Sequence, residues 1–316
     1  MVLEVDQEFI AAIEPLLESQ KDVVKPKLHD IEGRRARYAA MKAPPPVIPD
    51  DVIFEIVKIP TEDGYQLPVY HYKKRDTGSS DSPSAAVLHA HGGGLITLTP
   101  EISIERLAHM VSDTGVQAFS VDYRLAPEHR YPTALNDCWT CLTWLHSNSR
   151  ALRIDPARIA VMGESAGGGL ATALTLRARD VNLSPPIARQ ILSSPMLDDR
   201  TNSEVPGAFK LWDAEDNLTA WTAYLGTIPG GEDTPVFAAP GRLKDAGGLP
   251  TLYLDTSQFD LFVAENLAYV QKFIEAGVEA ECHLYPGLPH GFDGLVPTHS
   301  VTRKLEENRK RILKRL

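Results

Sequence analysis

Basic residues are in deficit: 32 Lys and Arg stand against 42 Asp and Glu, a formal net charge of −10. Nucleic acid and anionic membrane surfaces attract basic proteins, so neither is an expected partner. Cysteine is scarce, with Cys138, Cys141 and Cys282 the three in 316 residues. An odd, sparse set excludes a disulfide framework and fits a reducing compartment. Cys138 and Cys141, inside ALNDCWTCLTWLH, read as two small apolar residues on one helical face rather than as a reactive pair. No apolar run approaches the length of a membrane span. The opening MVLEVDQEFIAAIEPLLES is acidic and lacks the basic-then-apolar order of an export signal. A soluble, cytoplasmic protein is expected. No internal repeat is visible.

Two kinds of pattern are present. Residues 1–50 read as helical, with Phe9, Ile10, Ile13, Leu16 and Leu17 at helical spacing and a stop at Pro44 to Pro46. Beyond them come short β-type runs: VIFEIVKI, QLPVYHY, AAVLHAH, QAFSVDY, RIAVMG, RQILSS, TLYLDT and AECHLY. From the third run onward these alternate with helical stretches, which predicts an α/β fold whose mostly parallel sheet is flanked by helices on both faces. The run Gly78 to Ser84 reads as a surface loop. Residues 200–249 break the rhythm between the sixth and seventh runs and hold Trp212 and Trp221, two of the four tryptophans. Such an insertion is placed to cover the carboxyl ends of the strands, where open α/β sheets bind ligands. The basic residues ending the last helix complement its dipole.

The chemistry concentrates in VMGESAGGGL. Gly163-Glu164-Ser165-Ala166-Gly167 lies between an apolar strand and a helix, the context of a nucleophile elbow, where glycines on either side keep the sharp turn free of collisions. A nucleophilic serine also needs a base, an orienting carboxylate and oxyanion donors. Upstream, His91-Gly92-Gly93-Gly94 follows the third strand, and the bare N–H groups of Gly92 and Gly93 would join that of Ala166 as those donors. His89 and His91 lack the further ligands a metal site requires, so no metal is expected. Downstream, the seventh strand ends near two carboxylates, Asp255 and Asp260. His290 stands in a glycine-flanked loop after the eighth.

HGGG at His91, DYRLAPEHRYP from Asp122, GESAGG at Gly163 and HGF at His290 together resemble the hormone-sensitive-lipase-like branch of the α/β-hydrolase esterases, over nearly the whole chain. The resemblance implies the α/β-hydrolase fold, an eight-stranded sheet with a helical cap. It implies Ser165 as nucleophile, His290 as general base and then acid, and Asp260 holding the imidazole. Gly92, Gly93 and Ala166 would form the oxyanion hole, with His91 bracing the glycine loop. The acid loop departs from the usual D-P-L-x-D-E pattern, reading DLFVAE with Leu261 and Ala264 in place of proline and aspartate. Asp260 keeps the spacing to Phe262 and Glu265 and is preferred to Asp255 for that reason. Residues 1–50 and 200–249 would be the two cap segments, and 51–199 and 250–316 the two parts of the catalytic core.

The activity expected is serine carboxylesterase hydrolysis of short- to medium-chain or aryl esters through an acyl-enzyme, with no cofactor. Leu95, Leu211 and Trp212 are the expected pocket residues. Amide, lactone or acyl-transfer chemistry on the same residues is the alternative, and a non-catalytic receptor on the same scaffold a further one. By analogy with relatives, the edge strand AECHLY would pair two chains as a homodimer.

Overall fold

The computed structural model describes residues 4–21, 23–41, 45–75, 82–202 and 210–316. The stop residue Pro44, most of the expected loop (78–81) and residues 203–209 of the second insertion lie outside the described residues. The strands are β1 (Val52–Pro60), β2 (Gln66–Lys74), β3 (Ser84–Ala90), β4 (Gln117–Val121), β5 (Ile154–Glu164), β6 (Arg189–Ser193), β7 (Thr251–Phe259) and β8 (Ala280–Pro289). They form one eight-stranded sheet in the order β1-β2-β4-β3-β5-β6-β7-β8. β1–β2 and β2–β4 pair antiparallel, and the remaining pairs are parallel. The helices are α1 (Gln7–Gln20), α2 (Ile31–Ala40), α3 (Ile104–Thr114), α4 (Thr133–Ser147), α5 (Ser149–Leu152), α6 (Ala166–Asp180), α7 (Ala214–Leu225), α8 (Val263–Glu275), α9 (Phe292–Leu295) and α10 (Ser300–Leu313). Among the described residues no helix is long and apolar enough to cross a membrane.

A strand buried on both faces sends alternate side chains to opposite sides. In β5, Ile159 and Val161 join the core that contains α4, α6 and α8, whereas Ala160 and Met162 join the core beneath α3 and α10. Cys138 and Cys141 are fully buried in the first of these, and burial pushes both thiols up. A third cluster packs Phe9 and Ile13 of α1 against Tyr285, Leu288, Phe292 and Leu305.

The N-terminal helices and the insertion meet each other. Buried Arg34 of α2 donates from Nε to Asp216 of α7 at 2.8 Å and from Nη1 to the Lys27 carbonyl at 2.7 Å. The His29 N–H donates to Thr219, and Tyr38 reaches the Leu211 carbonyl. Arg35 ties α2 to the loops below, donating to the carbonyls of Ile96 and Ala126 and by both Nη atoms to Glu128.

Candidate active site

Ser165 sits at the turn between β5 and α6 with φ 52° and ψ −120°. This is a positive-φ conformation that a side-chain-bearing residue adopts only when its surroundings hold it there. The surroundings are explicit. The Ser165 N–H donates to the Ser193 carbonyl at 2.9 Å, and the Ser165 carbonyl accepts from Met196 N at 2.8 Å and Gly169 N at 3.1 Å. A Cβ on Gly163 would lie 2.3 Å from the Gly167 carbonyl oxygen. One on Gly167 would lie 2.0 Å from that of Ala90.

Three side chains from separate elements meet at this turn. His290 Nε2 lies 3.0 Å from Ser165 Oγ, and its Nδ1 lies 2.7 Å from Asp260 Oδ2. The other Asp260 oxygen accepts from the Phe262 N–H at 2.8 Å. Burial works against charge on His290, but Asp260 outweighs it and raises the imidazole above its ordinary pKa of 6.5. Asp255, the other carboxylate weighed from sequence, is engaged elsewhere: Arg309 Nε and Nη2 donate to it at 3.0 and 2.9 Å, and Ser193 Oγ at 2.7 Å.

The glycine loop lies beside the serine. A Cβ on Gly92 would meet Ser165 Cβ at 3.5 Å, and Gly92 and Gly93 both line the cavity in front of Ser165. Ala166 opens α6, where the first-turn N–H groups lack intrahelical acceptors. His91 stacks on Tyr123 with ring centroids 4.2 Å apart, and its Nδ1–H donates to the Gly92 carbonyl at 2.7 Å. Burial pushes its pKa down to about 4, so the ring braces the loop as a neutral donor. His89 lies between Ser120 and Glu164 at 2.7 and 2.9 Å. Among the described residues, potential metal-ligand atoms gather within 4.8 Å of one another at Asp6, Glu8 and His299. These are already used: Asp6 caps α1, Glu8 accepts from Ser300, and His299 accepts from Val301.

The cavity measures about 360 Å³, and its roof and floor differ in chemistry. Leu211 and Trp212 of the insertion line it together with Tyr38, Leu98 and Phe292. Both insertion residues come down onto glycines. Trp212 Cη2 would be 2.1 Å from a Cβ on Gly94, and Leu211 Cδ2 2.9 Å from one on Gly291, next to His290. Leu95 does not line the cavity as expected. The loop passes through φ 65° at Leu95 and 68° at Leu98, which turns Leu95 into the core and leaves Leu98 facing the cavity.

The floor comes from strand ends. Glu164, Ser193 and Asp255 are register neighbours across β5, β6 and β7. They share the parity of Met162, Ile191 and Tyr253, and so point to the α3/α10 side. Two guanidiniums rise to meet them, Arg106 from α3 onto Glu164 and Arg309 from α10 onto Asp255. Burial opposes charge on Glu164, but Arg106 and His89 prevail and hold its carboxyl below the usual range. Arg309, within the basic-ended last helix, is only 2 % exposed. The strand parity was available in the sequence; the arginines that answer it from distant helices carried no local signal.

Residues 87–294 match the family described as the alpha/beta hydrolase fold. A carboxylesterase from Mycobacterium tuberculosis, NlhH, is 34% identical over 276 residues, covering 83% of this chain and 82% of the relative. An arylesterase from Saccharolobus solfataricus is 32% identical over 257 residues, covering 78% and 80%. Among solved structures, a bacterial heroin esterase superposes with a TM-score of 0.86 at 32% identity, covering 98% of this chain and 97% of the other. With this sheet and this strand–turn–helix serine, the chain belongs to the α/β-hydrolase fold family.

Proposed function

We propose that Ser165, His290 and Asp260 form the catalytic triad of a member of the hormone-sensitive-lipase-like branch, acting through an acyl-enzyme. The chain is a carboxylic ester hydrolase. The observation that carries the residue assignment is the unbroken relay from Asp260 Oδ2 through His290 to Ser165 Oγ at the wall of the cavity. His290 Nε2 takes the Ser165 proton as Oγ bonds to the ester carbonyl carbon. The resulting oxyanion accepts from the N–H groups of Gly92, Gly93 and Ala166, each such donor being worth on the order of 10²–10³ in rate. Collapse breaks the bond to the alkoxide, which leaves with the proton from His290. Water, deprotonated by the same nitrogen, then releases the acid and restores the serine.

The helices of residues 1–50 and the segment 200–249 act in this reading as a cap, with Leu211 and Trp212 setting the depth of the pocket. A cavity of about 360 Å³ is at the small end of ligand sites and suits short- to medium-chain or aryl esters. Hydrolysis of p-nitrophenyl esters from acetate to laurate tests the assignment. Turnover is expected for the shorter chains, to fall toward laurate, and to vanish in Ser165→Ala. A folded Ser165→Ala protein with undiminished turnover would overturn it.

A further inference from the structure

We infer that the cavity selects esters carrying a cationic amine, held between the carboxylates of the floor and the aromatic rings of the roof. The inference rests on the serine-esterase reading of the site and names a substrate class within it.

The charges beside Ser165 do not balance. Arg309 is a single guanidinium shared by three carboxylates: Asp255 by two bonds at 2.9 and 3.0 Å, Glu306 at 2.9 Å and Asp293 at 3.2 Å. Arg106, the other cation of the cluster, is matched by Glu164. Four carboxylates thus face two guanidiniums and one imidazole, His89 at 2.9 Å from Glu164, so carboxylates remain in excess. Part of that excess faces the ligand. Asp293 lines the cavity and keeps 18 % of its side-chain surface exposed, whereas Arg309 is sealed beneath it. Asp293 is also only three residues beyond His290, so a charge placed against it lies close to the reacting ester.

The roof favours the same ligand. Tyr38, Trp212 and Phe292 line the cavity, and aromatic faces attract ammonium groups, most strongly when water is excluded. A carboxylate-bearing ester would meet both the excess negative charge and these rings unfavourably. Among the described residues, Arg106 is the one guanidinium or ammonium group lining the cavity, and Glu164 already neutralises it.

Butyrylcholine and 3,3-dimethylbutyl butyrate have the same shape and differ by one charge, so the ratio of their kcat/KM values isolates it. The cationic ester is expected to be favoured by about tenfold, the scale of one partly screened charge contact. The ratio should shrink in about 0.5 M salt and fall in Asp293→Asn. A ratio cancels any general loss of rate in the variant. Equal or reversed preference with good turnover of p-nitrophenyl butyrate would overturn the charge selection while leaving the esterase reading intact. If none of the three esters turned over, that reading would fail instead. The two ligands remade as ethers and titrated by calorimetry would then decide the charge preference: tighter binding of the cation supports it, and equal or weaker binding overturns it.

Discussion

His290 can accept the Ser165 proton only when its Nε2 is unprotonated, so whatever raises its pKa sets the acid limit of activity. Asp260 does this against the opposing effect of burial. The acid limb of kcat/KM should therefore lie above pH 6.5, falling away as the imidazole protonates. Asp260→Asn removes the larger raising charge, Asp293 being the smaller, so the limb should move down in pH while the rate drops on the order of 10³–10⁴, as the histidine loses its orientation. A pH–rate profile of the two proteins checks this, and an unmoved limb in the variant would assign the acid role elsewhere. Which carboxylate faces His290 was open from strand position alone, since Asp255 and Asp260 both follow the same apolar run. The spacing of DLFVAE favoured Asp260. The departures in that loop fall away from the triad: Leu261 is buried in the core and Ala264 is exposed in the first turn of α8.

At the scale of elements, all eight strands were legible: the inner ones as near-continuous apolar runs, because burial on both faces leaves little room for polar interruption, and the part-exposed edge strands β1 and β8 as apolar residues interrupted by polar ones. The positions of the two helical segments outside that rhythm were not, since what joins α2 to α7 is a buried Arg34–Asp216 pair between residues far apart in sequence. The elbow was legible for a steric reason that also yields a test. In Gly167→Ala the new Cβ would fall 2.0 Å from the Ala90 carbonyl oxygen and 2.4 Å from that of His91, both backbone atoms that cannot swing aside. α6 must then move off β3, at a cost of about 3 kcal/mol, seen as a fall in Tm of roughly 4–5 °C. Gly231→Ala is the control. No heavy atom lies within 4 Å of its added Cβ, so Tm should stay within about 2 °C. Equal melting of the two variants would show that α6 is not held by this contact.

Across the whole molecule, the last helix reaches the ends of the central strands through one side chain. Arg309 of α10 bonds to Asp255 on β7 and to Ser193 on β6 at 2.6 Å, close to where Ser165 N meets the Ser193 carbonyl. The C-terminal segment thereby helps to set the spacing of the strands that carry the nucleophile. Desolvating such a group is costly, and the pairing is strongly favourable only while every partner is present. Arg309→Met should destabilise the fold by about 3–5 kcal/mol, because Asp255 is left charged and buried. Adding Asp255→Asn to that variant should recover part of the loss, whereas Asp255→Asn alone should destabilise. Urea unfolding of the four proteins measures the coupling. If the two substitutions simply add, Arg309 and Asp255 act independently, and the last helix is held by its apolar contacts through Leu305, Ile312 and Leu313 instead.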